Sequence, residues 1–385
     1  VPILIPPPLA LYVHLPWCVR KCPYCDFNSH TQRGELPFSE YIDALIRDLE
    51  YDLPLVWGRV VSSVFFGGGT PSLFAPEQID RFLQSASARL HFTPNLEITL
   101  ETNPGTAEYG RFEHYRTAGI NRISFGVQSF TDTHLHTLGR IHNSQQARYA
   151  IKQAQDSGFD NINIDLMYAL PQQTLDQAEY DLQCAFDLQP THISYYQLTL
   201  EPNTLFFIHP PKNIPDEDLA WDIQEHGQRL LKAAGYQHYE VSAYAREQYQ
   251  CTHNLNYWRF GDYLGIGAGA HGKISCAPTQ KISRRWKQKH PRTYMLSAGN
   301  STCIGGNEII HRERLPFEYM LNVLRLHEGF DLQDFEWRTG QNRSLLRSAL
   351  NTAVEKGWLL RTGNQFMPTD EGRRLSNNLI ELFLD

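Results

Sequence analysis

Leu11-Tyr12-Val13-His14-Leu15-Pro16-Trp17-Cys18-Val19-Arg20-Lys21-Cys22-Pro23-Tyr24-Cys25-Asp26-Phe27 is the stretch that decides the fold. It opens as a short apolar strand and runs straight into a loop holding Cys18, Cys22 and Cys25. Three thiolates at C-x3-C-x2-C can hold three irons of a cubane [4Fe-4S] cluster. Ferredoxin spacings supply four thiolates and leave no iron open. Here one iron is left for an outside ligand, which suits chemistry on a bound molecule. Zinc is the competing reading. A structural zinc site wants four ligands, so His14, Asp26 or His30 would have to complete the set.

Outward from this loop the chain repeats one pattern: short apolar run, loop, amphipathic segment. Strands are expected at 11–13, 60–66, 96–101, 122–128, 161–167 and 192–198. Helices are expected at 38–49 (with Ser39 as N-cap), 76–90, 110–118, 144–157 and 174–188. Six alternations imply a parallel sheet with helical crossovers. The fold class is therefore α/β, a partial (β/α)6 barrel over residues 1–200, with chemistry at the C-terminal strand ends. The cysteine loop, Gly67-Gly68-Gly69-Thr70, Glu101, Gln128 and Asp165 all fall at such ends. Residues 201–300 form a connecting α/β region, in which 203–218 is a loop or lid. Residues 301–385 form a smaller C-terminal domain, helices followed by a hairpin around Gly363, of winged-helix-like type.

The chain has 385 residues and a formal net charge of -7, which argues against a general nucleic-acid binder. No run of 18 apolar residues is present, and Val1 to Pro8 lacks the basic start of a signal peptide. Seven cysteines, three of them crowded into eight residues, fit ligand thiolates in a reducing, cytoplasmic setting better than a disulfide framework. Cys184, Cys251, Cys276 and Cys303 are expected to be structural.

By chemistry alone the glycine turn allows close backbone approach, or is only a tight turn. Arg140 suits a carboxylate. Glu101 and Asp165 suit an ammonium or hydroxyls, or are capping and rim ion-pair residues. His253, Tyr257 and Trp258 form one patch able to ligate iron and stack on a flat ring; His271 is a second candidate. Arg284, Arg285, Lys287, Lys289 and Arg292 read as a solvated charged face.

The cysteine run, with an aromatic residue before its third cysteine, resembles the signature of radical S-adenosylmethionine (SAM) enzymes. Gly67-Gly68-Gly69-Thr70-Pro71-Ser72, Asn163 to Tyr168, His253-Asn254-Leu255-Asn256-Tyr257-Trp258 and Gly261 to His271 extend the likeness over nearly the whole chain. They resemble the oxygen-independent coproporphyrinogen III oxidase-like group, above all its haem-chaperone branch. The resemblance implies a radical-SAM barrel, a [4Fe-4S] cluster on Cys18, Cys22 and Cys25, and SAM at Tyr12, Gly68, Gly69, Thr70, Glu101, Gln128, Arg140 and Asp165. It implies haem as cargo, a haem-acceptor protein such as a membrane-associated respiratory protein, and an electron donor such as flavodoxin or ferredoxin. One departure bears on activity. The oxidase branch ends its motif in C-x-C, whereas Asp26-Phe27 follows Cys25 here. That favours the chaperone over the porphyrinogen decarboxylase. A winged-helix nucleic-acid binder is the third class.

Overall fold

Alternation along the strands decides which face of the sheet carries chemistry. The structure, a computed structural model, describes residues 2–32, 34–105 and 110–384. β1 (Leu9–Leu15) leads into two short parallel strands, β2 (Trp17–Cys18) and β3 (His30–Thr31), which clamp the two ends of the cysteine loop. β4 (Val60–Gly68), β5 (His91–Thr102), β6 (Arg122–Gln128), β7 (Asn161–Tyr168) and β8 (His192–Gln197) follow in parallel. Leu11 and Val13, Val64 and Phe66, Ile98 and Leu100, Ile123 and Phe125, Ile162 and Ile164, and Ile193 all pack into one apolar core beneath the helices. The intervening residues, Tyr12 and His14, Ser63, Glu97 and Glu101, Arg122 and Ser124, Asn163 and Asp165, and His192 and Ser194, take the other face. A barrel lined by branched apolar side chains would be a packed core. This lining is polar.

The helices Phe38–Asp52, Pro76–Ser87, Phe112–Thr117, Ser144–Asp156, Leu175–Asp187 and Glu217–Ala233 cover the outer face. Asn143 and Thr174 cap their helices through reciprocal bonds with Gln146 and Gln177. Ser39 does not cap the first helix. Pro37 fixes the start two residues earlier than the expected cap allows, so Ser39 lies inside the first turn.

The expected six strands gain a seventh parallel neighbour. β10 (Ala243–Ala245) adds antiparallel to β8 and β9 (Gln237–Glu240) antiparallel to β10, while β11 (Asp262–Ile266) pairs in parallel with β1. β12 (His271–Cys276), β13 (Lys281–Lys287) and β14 (Ile304–Ile309) continue antiparallel from β11. The sheet order among the described residues is β14-β13-β12-β11-β1-β4-β5-β6-β7-β8-β10-β9. Much of residues 201–300 is therefore built into the barrel sheet.

The basic stretch is β13 and not a solvated face. Lys287 is buried between Asp48 and Asp52, Arg285 pairs with Asp52, and Arg284 pairs with Glu318. Lys289 and Arg292 are exposed. After β14, the helices Leu315–Val323, Leu332–Thr339 and Arg347–Glu355 enclose a second core with β15 (Phe330–Asp331), β16 (Leu359–Thr362) and β17 (Gln365–Pro368). β16 and β17 form the expected hairpin. Among the described residues no helix is long and apolar enough to cross a membrane.

Candidate functional site

The C-terminal ends of the parallel strands surround a cavity of about 420 Å³, a volume suited to a small molecule. Cys18, Cys22 and Cys25 line one wall. Their loop is held from several sides. The amides of His30 and Gln32 donate to Pro16 O (2.7 Å) and Cys18 O (2.8 Å). His14 uses Nδ1 on the Tyr12 hydroxyl (3.0 Å) and Nε2 on Asn28 O (2.9 Å). Both of its nitrogens are spent, so it is no fourth metal ligand. Asn28 Nδ2 then donates to Ala268 O and Lys289 O, at 2.9 and 2.8 Å. The glycine run before His271 serves this anchorage: a Cβ at Gly269 would lie 2.4 Å from Asn28 Nδ2.

The Gly67-Gly68-Gly69-Thr70 turn ends β4 against the same loop. The amides of Gly69 and Thr70 donate to Leu15 O and Trp17 O, both at 2.8 Å. Gly68 has φ +118°, and a Cβ there would meet the His14 ring at 2.6 Å. A Cβ at Gly69 would sit 2.5 Å from Trp17 O, a backbone atom with no room to yield. Glycine is required at both positions.

Seven of the eight SAM candidates, Gly68, Gly69, Thr70, Glu101, Gln128, Arg140 and Asp165, line the cavity. Tyr12 is not among the lining residues; it lies behind the wall, on His14. Glu101 accepts from the Gly68 amide (3.1 Å), and burial together with nearby Asp165 pushes its carboxyl up to about 7. Arg140 donates to Asn103 Oδ1 and Gly126 O, and its other terminal nitrogen lies 3.6 Å from Cys22 Sγ. Gln128 ends β6 with φ +75° and accepts from the Tyr196 hydroxyl at 2.7 Å. A positive φ at a non-glycine residue is a strained conformation of the kind that collects at functional sites. Sequence reasoning missed Asn28, Asn103 and Asn163. Asn103 bridges Thr70 (2.8 Å) and Arg140. The polar i, i+2 row of Asn161, Asn163 and Asp165 was the available signal for the last.

The expected lid contains a short helix, Leu205–Ile208, tied to the cysteine loop by the Phe206 amide donating to Pro23 O at 3.0 Å. Leu205, Phe207, Ile208, Val19 and Phe27 are all exposed.

The haem candidates lie elsewhere. None of His253, Tyr257, Trp258 and His271 lines the cavity. Thr252–Trp258 is a helix packed inside the barrel, with its first amides on the Glu97 carboxylate. Glu97 precedes Glu101 by four residues on β5, roughly 13 Å. His253 is 1% exposed, with Nδ1 bonded to Ser63 Oγ (2.9 Å) and Nε2 to the Tyr257 hydroxyl (3.2 Å). Both ring nitrogens of this candidate ligand are therefore hydrogen-bonded in this conformation. Trp258 lies beneath the Arg325 guanidinium, 5.3 Å away. His271 is exposed at the start of β12 and stacks on Trp286.

Residues 12–185 match the Radical SAM superfamily, and residues 310–375 match the HemN C-terminal domain. The chain is 48% identical to the haem chaperone HemW of Haemophilus influenzae, and 48% identical to that of Escherichia coli. Each alignment covers 98% of both chains. This chain belongs to the HemW family of radical SAM proteins. Among solved structures, the Escherichia coli coproporphyrinogen III oxidase HemN superposes with a TM-score of 0.82 at 24% identity, covering 98% of this chain and 90% of that one. HemW and HemN thus share a scaffold, and the sequence of this chain sides with HemW.

The donor set fits the cofactors of a radical SAM protein. Three thiols share one wall with Arg140 beside Cys22, and Glu101 and Asp165 line the same cavity of small-molecule size. Such a cluster can take an outside ligand at the iron that no cysteine holds.

Proposed function

We propose that this protein is a haem chaperone: it binds haem and transfers it to an acceptor protein, with a [4Fe-4S] cluster and SAM in the rim cavity. The observation that carries this reading is the likeness to HemW over 98% of both chains, joined to Asp26-Phe27 where the oxidase-type motif continues to another cysteine. Cys18, Cys22 and Cys25 would hold the cluster. Thr70, Glu101, Gln128, Arg140 and Asp165 would bind SAM, and Gly68 and Gly69 would let its methionyl end approach the backbone. When bound, the cluster supplies an iron for the methionyl amine and carboxylate and an electron for the sulfonium. Arg140 is the guanidinium on the thiolate side, suited to a carboxylate. Glu101 and Asp165 are acceptors for an ammonium or for hydroxyls.

In this reading the protein works in the cytoplasm, takes its electron from a flavodoxin- or ferredoxin-type donor, and delivers haem to an acceptor such as a membrane-associated respiratory protein. His271 is the haem ligand candidate within reach of solvent; His253 becomes one only when the helix 252–258 shifts.

The second reading is coproporphyrinogen III decarboxylation, favoured by the HemN-like scaffold. One anaerobic experiment separates the two. Reconstituted protein is given SAM, reductant and coproporphyrinogen III, and haem is titrated into the same preparation. The chaperone reading expects stoichiometric haem binding, transfer to an apo-acceptor and no protoporphyrinogen. Protoporphyrinogen formation overturns it.

A further inference from the structure

Beneath the cavity floor, side chains form one unbroken run of hydrogen bonds through the barrel. Asp165 Oδ1 accepts from Asn163 Nδ2 at 2.8 Å. Asn163 Oδ1 meets His192 Nδ1 at 2.6 Å, and His192 Nε2 meets the Tyr239 hydroxyl at 2.7 Å. The Tyr239 oxygen in turn accepts from the amide of Cys251 at 3.2 Å, the residue that opens the helix 252–258. Glu97 takes the next two amides, Thr252 and His253, at 3.0 Å each.

The donors follow from Asp165: a carboxylate only accepts, so Asn163 turns its Nδ2 toward it and its Oδ1 toward His192. An amide carbonyl oxygen only accepts, so His192 carries its proton on Nδ1 and leaves Nε2 as an acceptor. Tyr239 must then donate to Nε2, which frees its oxygen for Cys251 N–H. Every hydrogen in the run therefore points from the helix toward Asp165. Bonds aligned in one direction polarise one another and strengthen together. The arrangement requires a neutral His192. Burial and the Arg122 charge hold its pKa well down. Arg122 is 2% exposed, and its charge acts on Asp165 and Glu101 at the floor and on Glu97 and Cys251 at the helix. Both ends of the run thus share one buried cation.

We propose that Asn163, His192 and Tyr239 are positioning residues that fix the Asp165 carboxylate in the cavity and couple it to the helix 252–258. A ligand taking up Asp165 tightens the run and holds the helix in the barrel, with His253 closed. An empty cavity leaves the helix freer to turn out. The inference rests on SAM occupying the cavity. Radical chemistry is not required for it.

The test uses the reconstituted holoprotein, anaerobically, with SAM as the probe. Perturbation of the reduced cluster's electron paramagnetic resonance signal reports SAM binding. Hydrogen exchange of amides 251–259 reports the helix. In the wild type, SAM shifts the signal and slows these amides about fivefold or more, the lower end of ordinary coupling between sites. Tyr239→Phe removes one hydroxyl and leaves the ring packed. It abolishes the slowing and weakens SAM binding about three- to tenfold, as expected for loss of an ordered hydrogen bond. His192→Leu, with its fold verified by thermal unfolding, repeats both effects, and Tyr239→Phe decides if that variant is unstable. A shifted signal with unchanged exchange overturns the coupling and leaves the SAM site standing. Full slowing in Tyr239→Phe also overturns it. No signal shift in the wild type removes the SAM reading and the coupling together.

Discussion

Glu97 and Glu101 stand four residues apart on β5, on the same face of one strand, and have opposite fates. Glu97 is buried and accepts from the Thr252 and His253 amides and the Cys251 thiol. Its hydrogen-bonding capacity goes into holding a helix, and a carboxylate at a helix start is favourable in its own right. Among the described residues Glu101 accepts one bond, from Gly68, and faces the cavity with capacity to spare. Chemistry is available where polar groups are buried yet left short of partners. Where partners are complete, polar groups are architecture. The distinction separates the rim from the barrel interior better than residue type does, since both regions hold carboxylates.

The largest way to sharpen this contrast is at the loop. Cys22→Ser should abolish cluster assembly, read as loss of bound iron and sulfide from reconstituted protein, with little change in thermal unfolding of the apoprotein. Retained iron at wild-type levels would return the three cysteines to a structural role. Gly69→Ala should cost about 1–3 kcal/mol, the usual range for overpacking a filled site. Because the clash is with Trp17 O, it should also lower cluster content. Unfolding in denaturant and iron analysis check both halves.

The paired carboxylates give the direct comparison. Glu97→Gln replaces one acceptor oxygen with a donor aimed at the start of the helix, and should lower stability by about 1–3 kcal/mol. Glu101→Gln removes a carboxylate that burial disfavours. The ligand-free protein should then be as stable as wild type or more so, while SAM affinity falls about tenfold. Denaturant midpoints and SAM titrations on the two variants should therefore move in opposite directions. Equal loss of stability in both would erase the distinction drawn here.

How much of this was legible follows from the same physics. The six strands of the partial barrel could be read because each is a local pattern of apolar residues closed by a turn. Their polar ends fell on one rim because parallel strands share a direction. β11 could not be read. Its partner β1 lies some 250 residues earlier, with Leu9 opposite Asp262, and five residues of Asp262–Ile266 carry no period long enough to show a parallel neighbour. The basic stretch misled because charge was counted without its partners; Asp48 and Asp52 lie on a distant helix. At His253 the partners were equally out of sight. His253 and Tyr257 share one helix, as their i, i+4 spacing allows, but Ser63 and Glu97 reach His253 from strands that no sequence spacing brings near it.

The smallest expected effect is a pH dependence, and its sign follows from Glu101. The folded-state pKa, about 7, lies above the ordinary 4.5 because burial and Asp165 disfavour the charged form. Folding therefore binds a proton more tightly at this group than the unfolded chain does. The ligand-free protein should lose stability from this residue as pH rises from about 4.5 through 7, and the loss should level off above that. SAM binding needs the ionised carboxylate, so affinity should run the other way, weakening as pH falls below 7. In Glu101→Gln both slopes should flatten together. Thermal unfolding with and without SAM between about pH 6 and 8, one unit to either side of the folded-state value, reads both. A SAM affinity flat across that range in the wild type would mean Glu101 is already paired in the folded protein, which would move it from the rim's class into that of Glu97.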